Sequence, residues 1–134
     1  MKKFLLVLLA IGIVGAGIAY YLYNKPVESL KNQKADVEVS AHKLITDYEA
    51  DEKAANEVYL GKVVQVTGPI TAIVDEGGKK KIQLDAGNPM AAIICEIENG
   101  KDIGDVKTGD VVKIKGLCSG YLSDVIIVQA NVVK

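Results

Sequence analysis

The sequence predicts an all-β domain, a small five-stranded barrel, preceded by a short helical segment and an N-terminal transmembrane helix. Three observations carry this. An uncharged run from Phe4 to Tyr23 opens the chain. An apolar stripe at helical spacing precedes residue 60. Beyond it, β-branched segments alternate with turn signals of glycine, asparagine and proline up to residue 133. The expected organisation is a membrane or signal-anchor segment over 1–25, a linker over 26–38, and the helical lead-in plus barrel over 39–134.

Lys2 and Lys3 precede the apolar run, whose 20 residues span roughly 30 Å as a helix, the thickness of a bilayer core. Tyr20, Tyr21 and Tyr23 cluster at its far end, where amphipathic rings favour the membrane–water boundary, and Lys25 follows. A cleaved signal peptide is the rival reading, with an apolar Phe4–Val14 core and small residues at Gly15, Gly17 and Ala19. The apolar run continues past those small residues, which favours an uncleaved anchor. No cysteine follows the run closely, which argues against a lipid-modified N-terminus. The expected membrane contact is thus residues 4–23. Lys2 and Lys3 on one side are matched by Lys25, Lys31 and Lys34 on the other, so charge does not fix the orientation. A short tail before a single helix favours a cytoplasmic tail, with the soluble domain on the extracytoplasmic side of the membrane.

Charge is unevenly placed. The chain holds 16 basic and 17 acidic residues, and every basic one is lysine. The segment from Pro26 to Tyr59 is acidic, whereas Leu60 to Lys134 carries nine lysines against nine acids. Arginine is the usual side chain for bidentate phosphate and guanine contacts. A neutral barrel without it lacks the positive field on which nucleic-acid affinity rests.

Pro26 ends any continuation of the first helix. Ser40 is placed to cap a second, its hydroxyl accepting from free backbone N–H groups. Ala41, Leu44, Ile45 and Tyr48 then form one apolar stripe. A further turn over Asp51–Tyr59 offers Ala54, Ala55, Val58 and Tyr59 for packing. This unit is expected to cover an open end or face of the barrel.

Five strands follow. Lys62–Val74 is long and bends at Gly68-Pro69. Asp75-Glu76-Gly77-Gly78 turns the chain into Lys80–Asp85, and Gly87-Asn88-Pro89 turns it into Ala91–Glu98. A glycine-rich connection over Asn99–Asp110 leads to Val111–Cys118, and Ser119–Ser123 to Asp124–Val133. Alternation with period two assigns inward faces to Val64, Val66 and Gly68; to Ile93, Cys95 and Ile97; to Val112, Ile114 and Cys118; and to Ile126, Val128, Ala130 and Val132. Lys113 and Lys115 face water. One long bent strand, two more, a longer connection and two final strands is the order of the OB barrel.

The run Tyr59-Leu60-Gly61-Lys62-Val63-Val64-Gln65-Val66-Thr67-Gly68 resembles the opening strand of the bacterial OB-fold family called "tRNA anti-like". Gly109-Asp110-Val111-Val112-Lys113-Ile114-Lys115-Gly116-Leu117-Cys118-Ser119-Gly120-Tyr121-Leu122-Ser123-Asp124-Val125 resembles it more specifically, and the segment from Ala41 to Tyr59 is similar to its helical lead-in. The resemblance spans Val39 to Val133. It implies the OB fold and an exported or membrane-associated setting. It carries no activity.

Candidate functional residues are sparse. Lys79, Lys80 and Lys81 follow the first hairpin turn, and Tyr121 lies in the last turn; in an OB fold these two loops flank the ligand face. A basic hairpin facing an exposed tyrosine is the minimum of a phosphate-plus-stacking site. Against it, Tyr121 is the only aromatic residue beyond residue 60, and Asp75, Glu76 and Asp124 sit nearby; a solvated charged hairpin is the simpler reading. Cys95 and Cys118, an even pair in an exported domain, are a candidate disulfide; two buried thiols acting as small apolar side chains are the alternative. These two cysteines and the distant His42 lack the spacing a zinc site needs, so no metal or cofactor is expected. His42 has no orienting partner in the pattern, and no catalytic constellation emerges.

The expectation is a non-enzymatic, membrane-tethered binding or interaction module whose ligand is a small anion, a peptide or a protein. A single-stranded nucleic-acid-binding domain, for which the lysine hairpin speaks and the charge balance does not, is the alternative, and a structural domain of an envelope complex is a third.

Overall fold

The computed structural model describes residues 1–24 and 30–133. Lys25, Pro26 and the start of the expected linker lie outside the described residues. Helix α1 spans Lys2–Asn24, with every residue exposed and a mean hydropathy of 2.4 over its most apolar 18 residues, long and apolar enough to cross a bilayer.

After a 3-10 turn at Leu30–Asn32, a short strand β1 (Val37–Ser40) runs parallel to β2 (Val63–Glu76). Val37 and Glu38 therefore belong to the sheet rather than to a linker over 26–38. Asp36 fixes them there: its backbone N–H donates to the Val63 carbonyl at 2.7 Å, and its carboxylate accepts from the Val63 N–H at 3.0 Å.

Helix α2 (Ala41–Ala50) starts at Ser40, whose hydroxyl accepts from the Lys43 N–H at 3.2 Å. Its buried residues are Ala41, Leu44, Ile45 and Tyr48, the stripe expected from the spacing. Asp51 ends α2 and caps α3 (Glu52–Tyr59), accepting from the Ala54 N–H at 3.1 Å. Ala55 and Tyr59 pack inward, whereas Ala54 and Val58 face solvent.

Strands β3 (Lys79–Asn88), β4 (Ala91–Ile97), β5 (Val111–Tyr121) and β6 (Val125–Val133) complete the sheet. The order is β1-β2-β3-β4-β6-β5, and pairing of β2 with β5 closes it. The result is a closed five-stranded OB barrel with β1 as an added strand. The bend at Gly68-Pro69 is where β2 changes partner: residues 63–69 pair with β5 and residues 70–76 with β3. A Cβ on Gly68 would lie 2.7 Å from the Ala41 Cβ, so glycine is what lets α2 settle over the barrel mouth. Around that mouth, His42 Nδ1 lies 2.9 Å from the Ala86 carbonyl, and Asn88 is hydrogen-bonded to Glu49. The connection over 98–110 closes the barrel elsewhere, Ile103 being buried in the core with Val106 packed against it.

The inward faces of the first, third and fourth barrel strands are those expected, with Val64, Val66, Ile93, Cys95, Ile97, Val112, Ile114 and Cys118 all buried. On β6 the phase differs. Val125 and Ile127 are buried, while Ile126 and Val128 are half-buried on the outer face. A bulge at Val128–Ala130, with Gln129 at φ 51°, then shifts the alternation so that Ala130 and Val132 meet the core as expected. One extra residue on a strand moves every later side chain to the opposite face.

Candidate binding face and groove

Cross-strand pairs define a row on the outer surface of the barrel: Gly120 beside Ile126, Ile126 beside Ile94, Ile94 beside Gln83, and Gln83 beside Ala72. All five are half-buried. The row is aliphatic or amide in character and carries neither charge nor an aromatic ring. Leu60 lies at its β5 end, 3.4 Å from where a Cβ on Gly120 would stand.

At the hairpin end of this face is a groove of roughly 640 Å³. Its walls are Glu76 and Lys79–Lys81 from the β2–β3 hairpin, Glu96 and Glu98 at the end of β4, and Val128 and Gln129 from the bulge. Lysines and carboxylates are thus interleaved. Lys81 Nζ lies 3.1 Å from a Glu76 carboxylate oxygen and pairs across the ladder with Glu96. Asn131, only 4% exposed, fixes the far wall. Its side-chain amide donates to Glu98 at 3.2 Å and to the Gln129 carbonyl at 3.1 Å, and the Glu98 N–H donates to the Ala130 carbonyl at 3.0 Å.

Tyr121 is not part of that groove. It sits at the β5–β6 turn, paired with Val125, whereas the lysines occupy the other end of β3. Its ring stacks on Tyr48 from α2 with centroids 5.3 Å apart, and Tyr48 in turn meets Tyr59 at 6.0 Å. The pairing of a basic hairpin with an exposed tyrosine is therefore not realised: Lys79, Lys80 and Lys81 come together, and Tyr121 joins the seam between helix and barrel. Burial raises the Tyr48 and Tyr59 pKa values, assisted by Cys118 and Asp47 respectively. Tyr59 Oη donates to Asp47 at 2.6 Å. The Lys43 ammonium, followed by this phenol, holds the Asp47 carboxyl below the usual carboxylate range.

Cys95 and Cys118 are both free and buried, so the disulfide is not formed. Each pairs with Ile127 from opposite sides, which sets them two strand spacings apart. That is roughly 9 Å between Cα atoms, beyond the ~7 Å a disulfide bridges. Burial pushes the Cys95 thiol up, and Cys118 Sγ lies 3.5 Å from Tyr48 Oη. Among the described residues, no group of three or more His, Cys, Asp or Glu side chains is arranged to hold a metal ion.

The profile of the tRNA_anti-like family matches residues 1–132, including the N-terminal helix. The chain belongs to the tRNA_anti-like family. Among solved structures, this tRNA_anti-like protein is similar to a lipoprotein of Klebsiella pneumoniae subsp. pneumoniae to which nucleic-acid binding is attributed. The two share 19% identity and a TM-score of 0.60 over 76% of this chain and 100% of that one. Looser matches are the S. pombe Stn1–Ten1 complex (20% identity, TM-score 0.40, 54% of this chain and 58% of that chain) and yeast Stn1 and Ten1 (14%, 0.45, 79% and 66%). At these identities the likeness to the lipoprotein is one of fold. No curated protein matches the chain.

Sequence reasoning found the hairpin lysines but missed the opposite wall. Gln129 and Asn131 stand in an apolar strand, and two polar residues flanking Ala130 were the available sign of a bulge.

Proposed function

We propose that this tRNA_anti-like protein is a membrane-tethered, non-enzymatic binding module that presents its barrel on the extracytoplasmic side and holds a peptide or protein there. The observation that carries the reading is the outer row Gly120, Ile126, Ile94, Gln83 and Ala72, with no ring on it. Single-strand binders stack successive bases on aromatic side chains, each worth about 1–3 kcal/mol. Here the one tyrosine of the barrel stacks on Tyr48 instead. An aliphatic, amide-bearing surface suits a polypeptide, whose side chains bury area without stacking. Helix α1 supplies the tether, and the free, buried thiols are compatible with either side of a membrane.

The nucleic-acid reading keeps one observation in its favour: three consecutive lysines on the hairpin that borders the OB ligand face. Titration of the full-length protein in detergent into a labelled single-stranded oligonucleotide separates the two. The proposal expects no saturation at low salt. Saturable binding that weakens steeply with salt, and is abolished in Lys79→Ala/Lys80→Ala/Lys81→Ala, would replace it. A reporter fused after residue 134 reads the side of the membrane, and cytoplasmic activity would overturn the extracytoplasmic placement.

A further inference from the structure

The groove beside the hairpin is a fork in the sheet. The β3–β4 ladder ends at Lys81 and Glu96, and by Glu98 the chain has left β3 to bond with Ala130 of β6. Strand β3 continues back through Lys80 to Lys79 with β2 on one side, Asp75 opposite Lys80 and Glu76 opposite Lys79. On the other side, among the described residues, no strand pairs with it. We propose that this fork takes an extended, acidic peptide segment that adds to the free edge of β3 at Lys79 and Lys80.

The inference rests on the peptide-binding reading above and deepens it. Exposed strand edges pair readily with an incoming strand, the main chain giving affinity and the flanking side chains selectivity. The far wall is rigid, because the buried Asn131 amide ties the Gln129 carbonyl to Glu98. The near wall has charge to offer. Lys81 is engaged with Glu76, and the Asp75 carboxylate turns into the hairpin to accept from the Gly78 N–H at 3.0 Å. Among the described residues, the Lys79 and Lys80 ammonium groups have no ion-pair partner.

Charge geometry favours peptide over polyphosphate. A nucleic-acid backbone laid in the groove brings its phosphates past Glu96 and Glu98 as well as the lysines. A β-strand sends successive side chains to opposite faces. Lys79 shares its face of β3 with Lys81 and the cross-strand Glu96, whereas Lys80 points to the other face. An added strand can therefore turn its acids to Lys80 and its neutral residues to the face that carries the glutamates, and its amides pair with β3 in either case.

The test uses the full-length protein in nanodiscs and three N-acetylated peptides: alternating Glu and Thr, alternating Lys and Thr, and alternating Ser and Thr. The Glu-Thr peptide is expected to bind, with amide NMR shifts concentrated at Lys79, Lys80, Lys81 and Gln129. Lys79→Ala/Lys80→Ala should weaken it at least about tenfold, equivalent to ~1.4 kcal/mol. Lys79→Glu/Lys80→Glu should reverse the preference towards the Lys-Thr peptide. Equal binding of all three peptides, or binding by none, overturns the proposal. Shifts centred on Ile94 and Ile126 instead of the fork overturn it while leaving the broader reading intact. Saturation by an oligonucleotide with no peptide bound overturns both.

Discussion

Gly116 on β5 and Ile127 on β6 pack so closely that a methyl group at position 116 would stand 2.5 Å from Ile127 Cγ2. It would also lie 2.8 Å from the Val128 carbonyl and 3.1 Å from the Ala130 Cα, so backbone as well as side chain would have to move. The bulge that shapes the groove leans on this glycine. Gly116→Ala is expected to destabilise the barrel by about 1–3 kcal/mol through overpacking. In thermal denaturation followed by the β signal in circular dichroism, each kcal/mol lowers Tm by roughly 4–8 °C for a domain of this size. An unchanged Tm would mean that the bulge is not held against β5.

The two cysteines should separate energetically. Cys95 is fully buried with no hydrogen-bond partner among the described residues, whereas Cys118 faces Tyr48 Oη. Cys95→Ser buries an unsatisfied hydroxyl and is expected to cost about 1–3 kcal/mol; Cys118→Ser keeps a partner and should cost within about 1 kcal/mol. Urea midpoints of the two variants compare them directly. Mass spectrometry of denatured, unreduced protein after alkylation should find both thiols modified, and a mass lacking both adducts would restore the disulfide.

Alkaline pH should loosen the fold. Burial raises the Cys95, Tyr48 and Tyr59 pKa values, so each stays protonated in the native state where the unfolded chain ionises. The stability this contributes is whole below the unfolded values, about 8.5 for a thiol and ~10 for a phenol. It is lost as pH rises, by up to ~1.4 kcal/mol per pH unit for each ionising group. Urea midpoints should therefore hold level near neutrality and fall progressively above about pH 9. In Tyr59→Phe the fall should be shallower.

Acid also loosens the fold, through Asp47. Its lowered pKa, due first to Lys43 and then to Tyr59, contributes stability above the ordinary carboxylate range that is lost as pH falls through the folded value. Asp47→Asn should remove that acid-side component, read as a smaller drop in urea midpoint between about pH 5 and pH 2.

Much of the barrel was legible because its signals are local. The Gly68-Pro69 bend, the Gly77-Gly78 turn and the Ser40 cap are each written in two or three adjacent residues. The phase of β6 was not, since Val125-Ile126-Ile127-Val128 is apolar at every position and alternation has nothing to distinguish. Strand β1 was hidden for a related reason: Val37 and Val39 alone are too short a pattern, and Asp36 holds the segment through a contact 27 residues away in sequence. The candidate site split along the same line. Three adjacent lysines announce themselves, but Tyr121 is turned inward by a tyrosine on α2, and the groove's other wall depends on Asn131 reaching Glu98.

The most direct test of the account is photo-crosslinking from the outer row. A photoreactive residue is placed at Ile94 in the full-length protein, and the cells are irradiated with the membranes intact. The account predicts adducts that disappear on protease treatment of the captured partner and persist through nuclease. Adducts removed by nuclease, or none above the unirradiated control, would contradict it.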